Sequence, residues 1–171
     1  MAVVMPFVFQ IVGYQNSGKT TFMKKLISEL GKEQISVVTM KHHGHGGKPD
    51  IAQEKDSTEH IGAGALASLV EGDGRLILHA EKREWKIEEQ IQLLSLLQPE
   101  IILVEGHKFA QFPKGVIVRK QEDAELLSML ENIEVIYYWE PSLIKGIDIP
   151  SFHIDDQAGY IYAVNILKQK L

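Results

Sequence analysis

The chain has 171 residues, a length typical of one domain with a substantial buried core. With 44% hydrophobic and 24% charged residues it has the composition of an ordinary soluble protein, and its net charge of -5 argues against a nucleic-acid surface built on overall basicity. No apolar run reaches transmembrane length, and the absence of cysteine excludes a disulfide framework. We therefore predict one cytoplasmic domain over residues 1–171, with neither a membrane nor a nucleic acid as partner.

Apolar runs alternate with helical patterns along the chain, which indicates an α/β domain with a mostly parallel sheet. In chain order, the patterns predict strands at 7–12, 37–40, 100–106, 115–120 and 134–139. They predict helices at 19–30, 86–97, 124–130 and 155–170. The first helix would end at Gly31, and the last would be capped by Asp155 or Asp156. Asp73-Gly74 lies between two apolar runs and predicts an antiparallel hairpin. Such a hairpin would extend one edge of the sheet or form an oligomer contact.

The segment GYQNSGKT, residues 13–20, matches the P-loop pattern G-x-x-x-x-G-K-[ST] between the first predicted strand and the first predicted helix. Its glycines let backbone N–H groups turn toward phosphate oxygens, and the helix that follows directs its positive dipole end at the same anion. Lys19 can reach the β- and γ-phosphates, and the Thr20 hydroxyl can bind Mg²⁺. The predicted nucleotide contacts are Gly13, Tyr14, Gln15, Asn16, Ser17, Gly18, Lys19, Thr20 and Thr21.

A second magnesium-side carboxylate is predicted at Glu105, which ends the apolar run IILV and precedes a glycine. A carboxylate at the carboxyl end of a buried strand would lie near Mg²⁺ or a metal-bound water. The Asn-Lys-x-Asp signature of many guanine-specific proteins does not occur, so the motifs do not identify the base. No glutamine or arginine finger is obvious either, which is consistent with slow hydrolysis unless a partner supplies one.

The segment KHHGHGG, residues 41–47, contains three histidines in four positions and has three interpretations. His42, His43 and His45 could form a mobile loop that binds an anionic ligand, could be incidental surface residues, or could bind zinc or nickel together with further ligands. The position after the second predicted strand, beside the P-loop, favours the anion-binding loop.

With these residues placed, the chain resembles the molybdopterin-guanine dinucleotide biosynthesis protein B (MobB) family over nearly its whole length. The motifs that carry this resemblance are GYQNSGKTT, MKHHGHGG, KDSTEHIGAGA and ILVEGHK in this order, with a weaker match at FPKGVIVRK. The resemblance implies an α/β three-layer P-loop NTPase fold with a mostly parallel sheet and a hairpin extension. It also implies binding of GTP and Mg²⁺ with weak hydrolysis, homodimerisation, and an accessory role beside the guanylyltransferase that attaches GMP to molybdopterin, which would itself be a ligand.

Carried over to this sequence, the resemblance makes Lys19, Glu105 and Asp56 catalytic residues, with Thr20, Asp56 and Glu105 on the magnesium side. Asp56 could instead be an N-cap of the turn at Ser57. The substrate loop would consist of Lys41, His42, His43, His45, Gly106 and Lys108. His107 stands where the family usually has an aromatic residue, so its role stays open. Two rival functions remain: a metallochaperone GTPase with a histidine metal loop, and a small-molecule P-loop kinase.

Overall fold

A computed structural model of the chain describes residues 5–44, 46–49 and 55–171. Its elements are β1 (Phe7–Val12), α1 (Lys19–Lys32), β2 (Val37–Lys41), α2 (Lys55–Gly62), β3 (Ala67–Gly72), β4 (Arg75–Ala80), α3 (Ile87–Ser95), β5 (Ile101–Glu105), β6 (Lys114–Val118), α4 (Leu126–Met129), β7 (Ile133–Tyr138), β8 (Ser151–His153) and α5 (Gln157–Lys168), with 3-10 turns at Gln121–Glu125 and Pro141–Ile144. The chain divides into two compact units, one formed by residues 1–44 and 91–171 and the other by residues 45–90. The single domain expected from the sequence stays a prediction.

The first unit is built on a six-stranded sheet in the order β2-β5-β1-β6-β7-β8, in which every neighbouring pair is parallel. Because parallel strands end at the same edge of a sheet, the segments that follow these strands come together at the carboxyl edge. The mostly parallel α/β fold predicted from the sequence is confirmed. No helix in the described part of the chain is long and apolar enough to cross a bilayer.

Apolar side chains cover both faces of this sheet and produce three layers. On one face, α1 and α5 pack over a cluster that includes Phe9, Phe22 and Leu26. On the other face, Val116 and Val118 of β6 pack beneath the segments around α4 and the 3-10 turns. Successive side chains of β6 point to opposite faces of the sheet, and both faces are buried. The sheet is therefore a rigid base for the loops at its carboxyl edge.

Most element boundaries differ from the sequence prediction by one or two residues, and one strand and one helix differ in kind. Helix α1 continues past Gly31 to Lys32, because the left-handed residue that ends it is Gln34 (φ 60°), whose N–H donates to the carbonyl of residue 31. Strand β8 was not predicted, since three residues are too few to show a periodic pattern. The segment at 124–130 is a 3-10 turn followed by a short helix. The cap of α5 is Asp156, whose carboxylate accepts a hydrogen bond from the N–H of Ala158 at 2.9 Å.

The second unit contains the predicted hairpin. Strands β3 and β4 pair antiparallel across Asp73 (φ 50°) and Gly74 (φ 76°), and the two positive φ values fit a type I′ turn. The predicted antiparallel hairpin is confirmed. Of the two roles predicted for it, extension of an edge of the main sheet is not observed, because the two strands form a separate two-stranded sheet. Several of its apolar side chains are exposed, on both faces of the ribbon: Leu69, Val70, Leu76, Ile77 and Leu78.

Candidate functional site

The P-loop connects the end of β1 to the start of α1 and requires glycine at two positions. Gly18 has a φ of 100° and is the N-cap of α1. A Cβ on Gly13 would lie 2.6 Å from the Ser17 Oγ and 2.9 Å from the Ile117 carbonyl oxygen, both closer than packed atoms approach. Asn16 also adopts a left-handed conformation, with φ 59°. The loop therefore follows a tight path that larger residues at the two glycines would disturb.

Lys19 lies at the centre of a group of cationic side chains. Its Nζ donates a hydrogen bond to the carbonyl oxygen of Tyr14, at 2.6 Å, across the P-loop. Burial lowers the pKa of Lys19, Glu105 opposes that shift, and the neighbouring Lys108 and Lys41 ammonium groups add to it. Because Lys108 and Lys41 disfavour the charged form of Lys19, a polyanion bound beside Lys19 would offset their repulsion.

The hydroxyl of Thr20 meets the carboxylate of Glu105, which ends β5. Thr20 Oγ1 donates to Glu105 Oε1 at 3.1 Å and lies 3.3 Å from Oε2. Glu105 is buried, with 8% of its surface exposed, and the Lys41 ammonium lies 3.4 Å from Oε1. A hydroxyl and a carboxylate side by side are hard oxygen ligands of the kind that Mg²⁺ prefers, so these two residues fit a magnesium site.

The turn that follows Glu105 is held in a left-handed conformation. Gly106 has a φ of 97° and His107 a φ of 50°. The buried amide of Gln10 donates to the carbonyl oxygens of both residues, at 3.1 and 2.8 Å. A Cβ on Gly106 would lie 3.1 Å from the Cβ of His42, so glycine lets the segments after β5 and β2 approach each other.

The described histidines of the loop after β2 lie beside this turn. The rings of His42 and His107 have centroids 4.5 Å apart. Burial, with a smaller contribution from His42, lowers the pKa of His107. His43 is exposed, and His45 lies outside the described residues. Within the described part of the chain, no group of three or more His, Asp or Glu side chains is arranged to hold a metal ion.

The side chain of Tyr14 connects the P-loop to two further segments. The Lys108 ammonium lies 4.2 Å from the centre of the Tyr14 ring, a cation–π contact. The Tyr14 hydroxyl donates to Glu125 Oε1 at 2.5 Å, and this hydrogen bond is the main cause of the raised pKa of Tyr14. Lys108 is therefore part of the P-loop surroundings, consistent with its predicted place in the substrate loop.

The first unit thus brings most of the predicted site residues to one edge of the sheet. They are the P-loop residues 13–21 together with Lys41, His42, His43, Glu105, Gly106 and Lys108. Asp56 is an exposed residue in the first turn of α2 and belongs to the second unit. Its predicted catalytic and magnesium roles stay predictions, and so do the roles of the other residues.

Among the described residues, Glu125 and two further residues that hydrogen-bond to the P-loop were not predicted from the sequence. Arg119, directly after β6, donates from Nη1 to the Asn16 carbonyl oxygen, and Trp139, directly after β7, donates from Nε1 to the Ser17 carbonyl oxygen at 2.9 Å. The signal that would have found Arg119 and Trp139 is their position immediately after two strands of the parallel sheet.

A parallel sheet whose first strand leads through a glycine-rich loop into a helix, with Lys and Thr at the helix start, is the P-loop NTPase fold. The hydrogenase maturation factor HypB from Archaeoglobus fulgidus shares this fold, with a TM-score of 0.52, 13% identity, and coverage of 96% of this chain and 90% of that one. At that level of identity the similarity describes the fold alone.

Comparison with known proteins gives the family. The model for MobB, described as molybdopterin guanine dinucleotide synthesis protein B, matches residues 8–138. A probable molybdopterin-guanine dinucleotide biosynthesis adapter protein from Bacillus subtilis is 38% identical over 170 residues, 98% of each chain. A crystal structure of Bacillus subtilis MobB aligns with a TM-score of 0.78 and 36% identity, covering 96% of this chain and 97% of that one. The chain belongs to the MobB family.

The close contacts around Gly13 lead to a prediction about the stability of the folded chain. Gly13→Ala should lower the free energy of unfolding by about 1–3 kcal/mol, because the added methyl group meets a backbone carbonyl that cannot move freely. The matched control is Gly31→Ala in α1, where no atom lies within 4 Å of the new Cβ and the helix should gain roughly 0.5–1 kcal/mol. Urea denaturation of both variants measures the difference, and a Gly13→Ala protein as stable as the unmodified chain would contradict the geometry described.

Proposed function

We propose that this chain binds GTP with Mg²⁺ at the carboxyl edge of the parallel sheet and hydrolyses it slowly. The observation that carries the proposal is the contact between Thr20 and Glu105, beside Lys19 and the glycine-dependent P-loop. The Lys19 ammonium and the N-terminus of α1 lie there, and both favour a bound triphosphate. In this proposal Lys19, Glu105 and Asp56 are the catalytic residues.

Thr20 and Glu105 are the residues that would hold Mg²⁺. When bound, the ion supplies positive charge to the phosphate oxygens and so favours the build-up of negative charge during phosphoryl transfer. Glu105 is fixed by the strand that it ends, whereas the Lys41 side chain paired with it is 62% exposed and free to turn away from a cation. Asp56 would join the magnesium side as a switch-region carboxylate.

We expect GTP hydrolysis to be slow, because the cations near the P-loop already contact other groups of the protein. The Arg119 guanidinium is hydrogen-bonded to a P-loop carbonyl and lies over the Trp139 ring, so it is held away from a role in stabilising transferred phosphate. Lys108 is stacked on Tyr14. A partner protein that supplied a further cation would speed hydrolysis.

The cellular role that we propose is that of an adapter in molybdopterin-guanine dinucleotide formation in the cytoplasm. The relatives named as molybdopterin-guanine dinucleotide biosynthesis adapter proteins support it, as does the match of the MobB family model over residues 8–138. The partner would be the guanylyltransferase that attaches the guanine nucleotide to molybdopterin. The preference for GTP over other nucleotides follows from this role and not from a base-recognition motif.

The residues that follow β2 and β5 would line the side of the site that faces molybdopterin. Lys41, His42, His43, Gly106 and Lys108 offer cations and N–H donors next to the P-loop, which suits the phosphate group of a pterin ligand. His45 is included from its sequence position, since it lies outside the described residues.

A homodimer formed through the β3–β4 hairpin completes the proposal. A two-stranded ribbon is marginally stable in water by itself, and Leu69, Leu76 and Leu78 expose 57%, 58% and 40% of their surface. The register pairs Leu69 with Leu78, so these leucines form an apolar strip on one face of the ribbon. The same strip on a second copy would bury it.

Lys19→Ala should weaken GTP binding about 100-fold, because it removes the ammonium that would form charge-assisted hydrogen bonds with the phosphates. Calorimetry with Mg²⁺–GTP measures the change. Lys24→Ala, which removes an exposed lysine from the same helix, is the control and should bind like the unmodified chain. Equal affinity in the Lys19→Ala and control proteins would remove the basis of the nucleotide assignment.

Glu105→Gln should raise the Mg²⁺ concentration needed for tight GTP binding by about tenfold and slow any hydrolysis, since the amide keeps the size of the side chain but loses its charge. GTP titrations at increasing Mg²⁺ measure this requirement, with the exposed Glu88→Gln as control. If Glu105→Gln kept the original magnesium requirement, Glu105 would not be a magnesium-side residue.

Leu69→Lys combined with Leu76→Lys should convert the dimer to a monomer, because two charges would be placed in the apolar strip. Sedimentation equilibrium gives the mass directly. Leu97→Lys, at a leucine that is 69% exposed beyond the end of α3, is the control and should stay dimeric. An unmodified protein that sediments as a monomer at tens of micromolar, or a double variant that remains dimeric, would exclude this interface.

A further inference from the structure

Two donors from neighbouring strands hold consecutive carbonyl groups of the P-loop from outside. Trp139 Nε1 donates to the Ser17 carbonyl oxygen at 2.9 Å, and the Arg119 guanidinium donates to the Asn16 carbonyl oxygen. The indole also lies against the start of α1, since a Cβ on Gly18 would be 3.4 Å from Trp139 Cζ2. The backbone at the tip of the loop is therefore fixed by side chains that are distant in sequence.

The two donors are themselves held in place. The Arg119 guanidinium lies 5.2 Å from the centre of the Trp139 ring, so the two groups form a cation–π pair. The backbone N–H of Arg119 donates to the buried carboxylate of Asp123 at 2.9 Å, and the backbone N–H of Trp139 donates to the Val118 carbonyl oxygen at 3.1 Å. Their positions thus follow from the pairing of β6 with β7.

The planarity of the peptide bond gives these contacts a consequence for anion binding. The Ser17 carbonyl and the Gly18 N–H belong to one peptide plane and point in opposite directions. A donor that fixes the carbonyl on one side therefore fixes the direction of the N–H on the other. Since Asn16 and Gly18 both have left-handed φ values, 59° and 100°, the loop holds a conformation that needs such support.

We propose that Arg119 and Trp139 are positioning residues that preorganise the P-loop N–H groups for phosphate, without touching the nucleotide. This inference rests on the proposed nucleotide site and adds to it the residues that shape the loop. Arg119 is exposed, and Trp139 is partly buried and packs against the core cluster, so a variant that keeps an aromatic ring at position 139 separates the hydrogen bond to the loop from packing. Because they act on the phosphate-binding backbone, their loss should affect every ligand that carries the triphosphate, with or without a nucleoside.

The test compares Mg²⁺–GTP with inorganic triphosphate as calorimetric ligands for Trp139→Phe and Arg119→Lys. Phenylalanine keeps an aromatic ring but removes the indole N–H, and lysine keeps the charge but not the planar guanidinium. We expect each variant to bind both ligands about 5- to 10-fold more weakly, by the same factor for both, with a melting temperature close to that of the unmodified chain. Arg83→Lys, an exposed arginine, is the control for Arg119.

The chain also supplies a matched tryptophan. It contains two tryptophans, and Trp85 has the Lys82 ammonium 4.3 Å from its ring centre, as Trp139 has Arg119. Trp85→Phe should bind both ligands normally. Its remaining tryptophan, Trp139, should report the addition of inorganic triphosphate by a change in emission, because its indole N–H contacts the loop that would bind this ligand.

The binding results separate a positioning role of Arg119 and Trp139 from the alternatives. A loss confined to GTP would overturn the inference and make the pair a nucleoside contact, and unchanged affinity for both ligands would also overturn it while leaving the nucleotide site intact. If the unmodified chain bound neither GTP nor triphosphate, the proposed function itself would fail, and this inference with it.

Discussion

The register of β5 between its two neighbours places Glu105 level with Ile11 of β1 and Lys41 of β2. In a strand, a slip of one residue would turn the Glu105 side chain to the opposite face of the sheet, away from Thr20 at the start of α1. Backbone hydrogen bonds hold this register at the end of β5, where the Gly106 N–H donates to the Ile11 carbonyl oxygen at 3.1 Å. The position of Glu105 therefore follows from the pairing of β5 with its two neighbours, and the Thr20 hydroxyl and the Lys41 ammonium contact its carboxylate there.

The strands on the other side of β1 also support the P-loop. Beyond β1, the strands β6 and β7 end at Arg119 and Trp139, which hold the loop carbonyls, while β5 and β2 end at Glu105 and Lys41. The loop thus has groups suited to a metal and to anions on one side and supporting hydrogen-bond donors on the other. In the proposed function, this asymmetry would preorganise a phosphate site and leave the exposed residues after β2 open to a second ligand.

Much of this arrangement could be predicted from the sequence, because some features are local. The P-loop, the buried strand before Glu105 and the Asp73-Gly74 turn each occupy a few consecutive residues, and all three are found where the patterns indicate. The contacts of Arg119 and Trp139 with the P-loop join residues more than one hundred positions apart, so they depend on strand order that no local pattern contains. The separate hairpin sheet depends on strand pairing that no local pattern contains, and the three-residue β8 is too short to show a periodic pattern.

The central claim is that the edge formed by the P-loop and Glu105 is where the triphosphate binds. Backbone amide NMR during a titration with Mg²⁺–GTP tests it most directly, because each N–H reports its own surroundings. The account predicts that the largest shifts occur at residues 13–20 and at Glu105 and Gly106. Saturable GTP binding that leaves those amides unchanged and shifts another group of residues would contradict it.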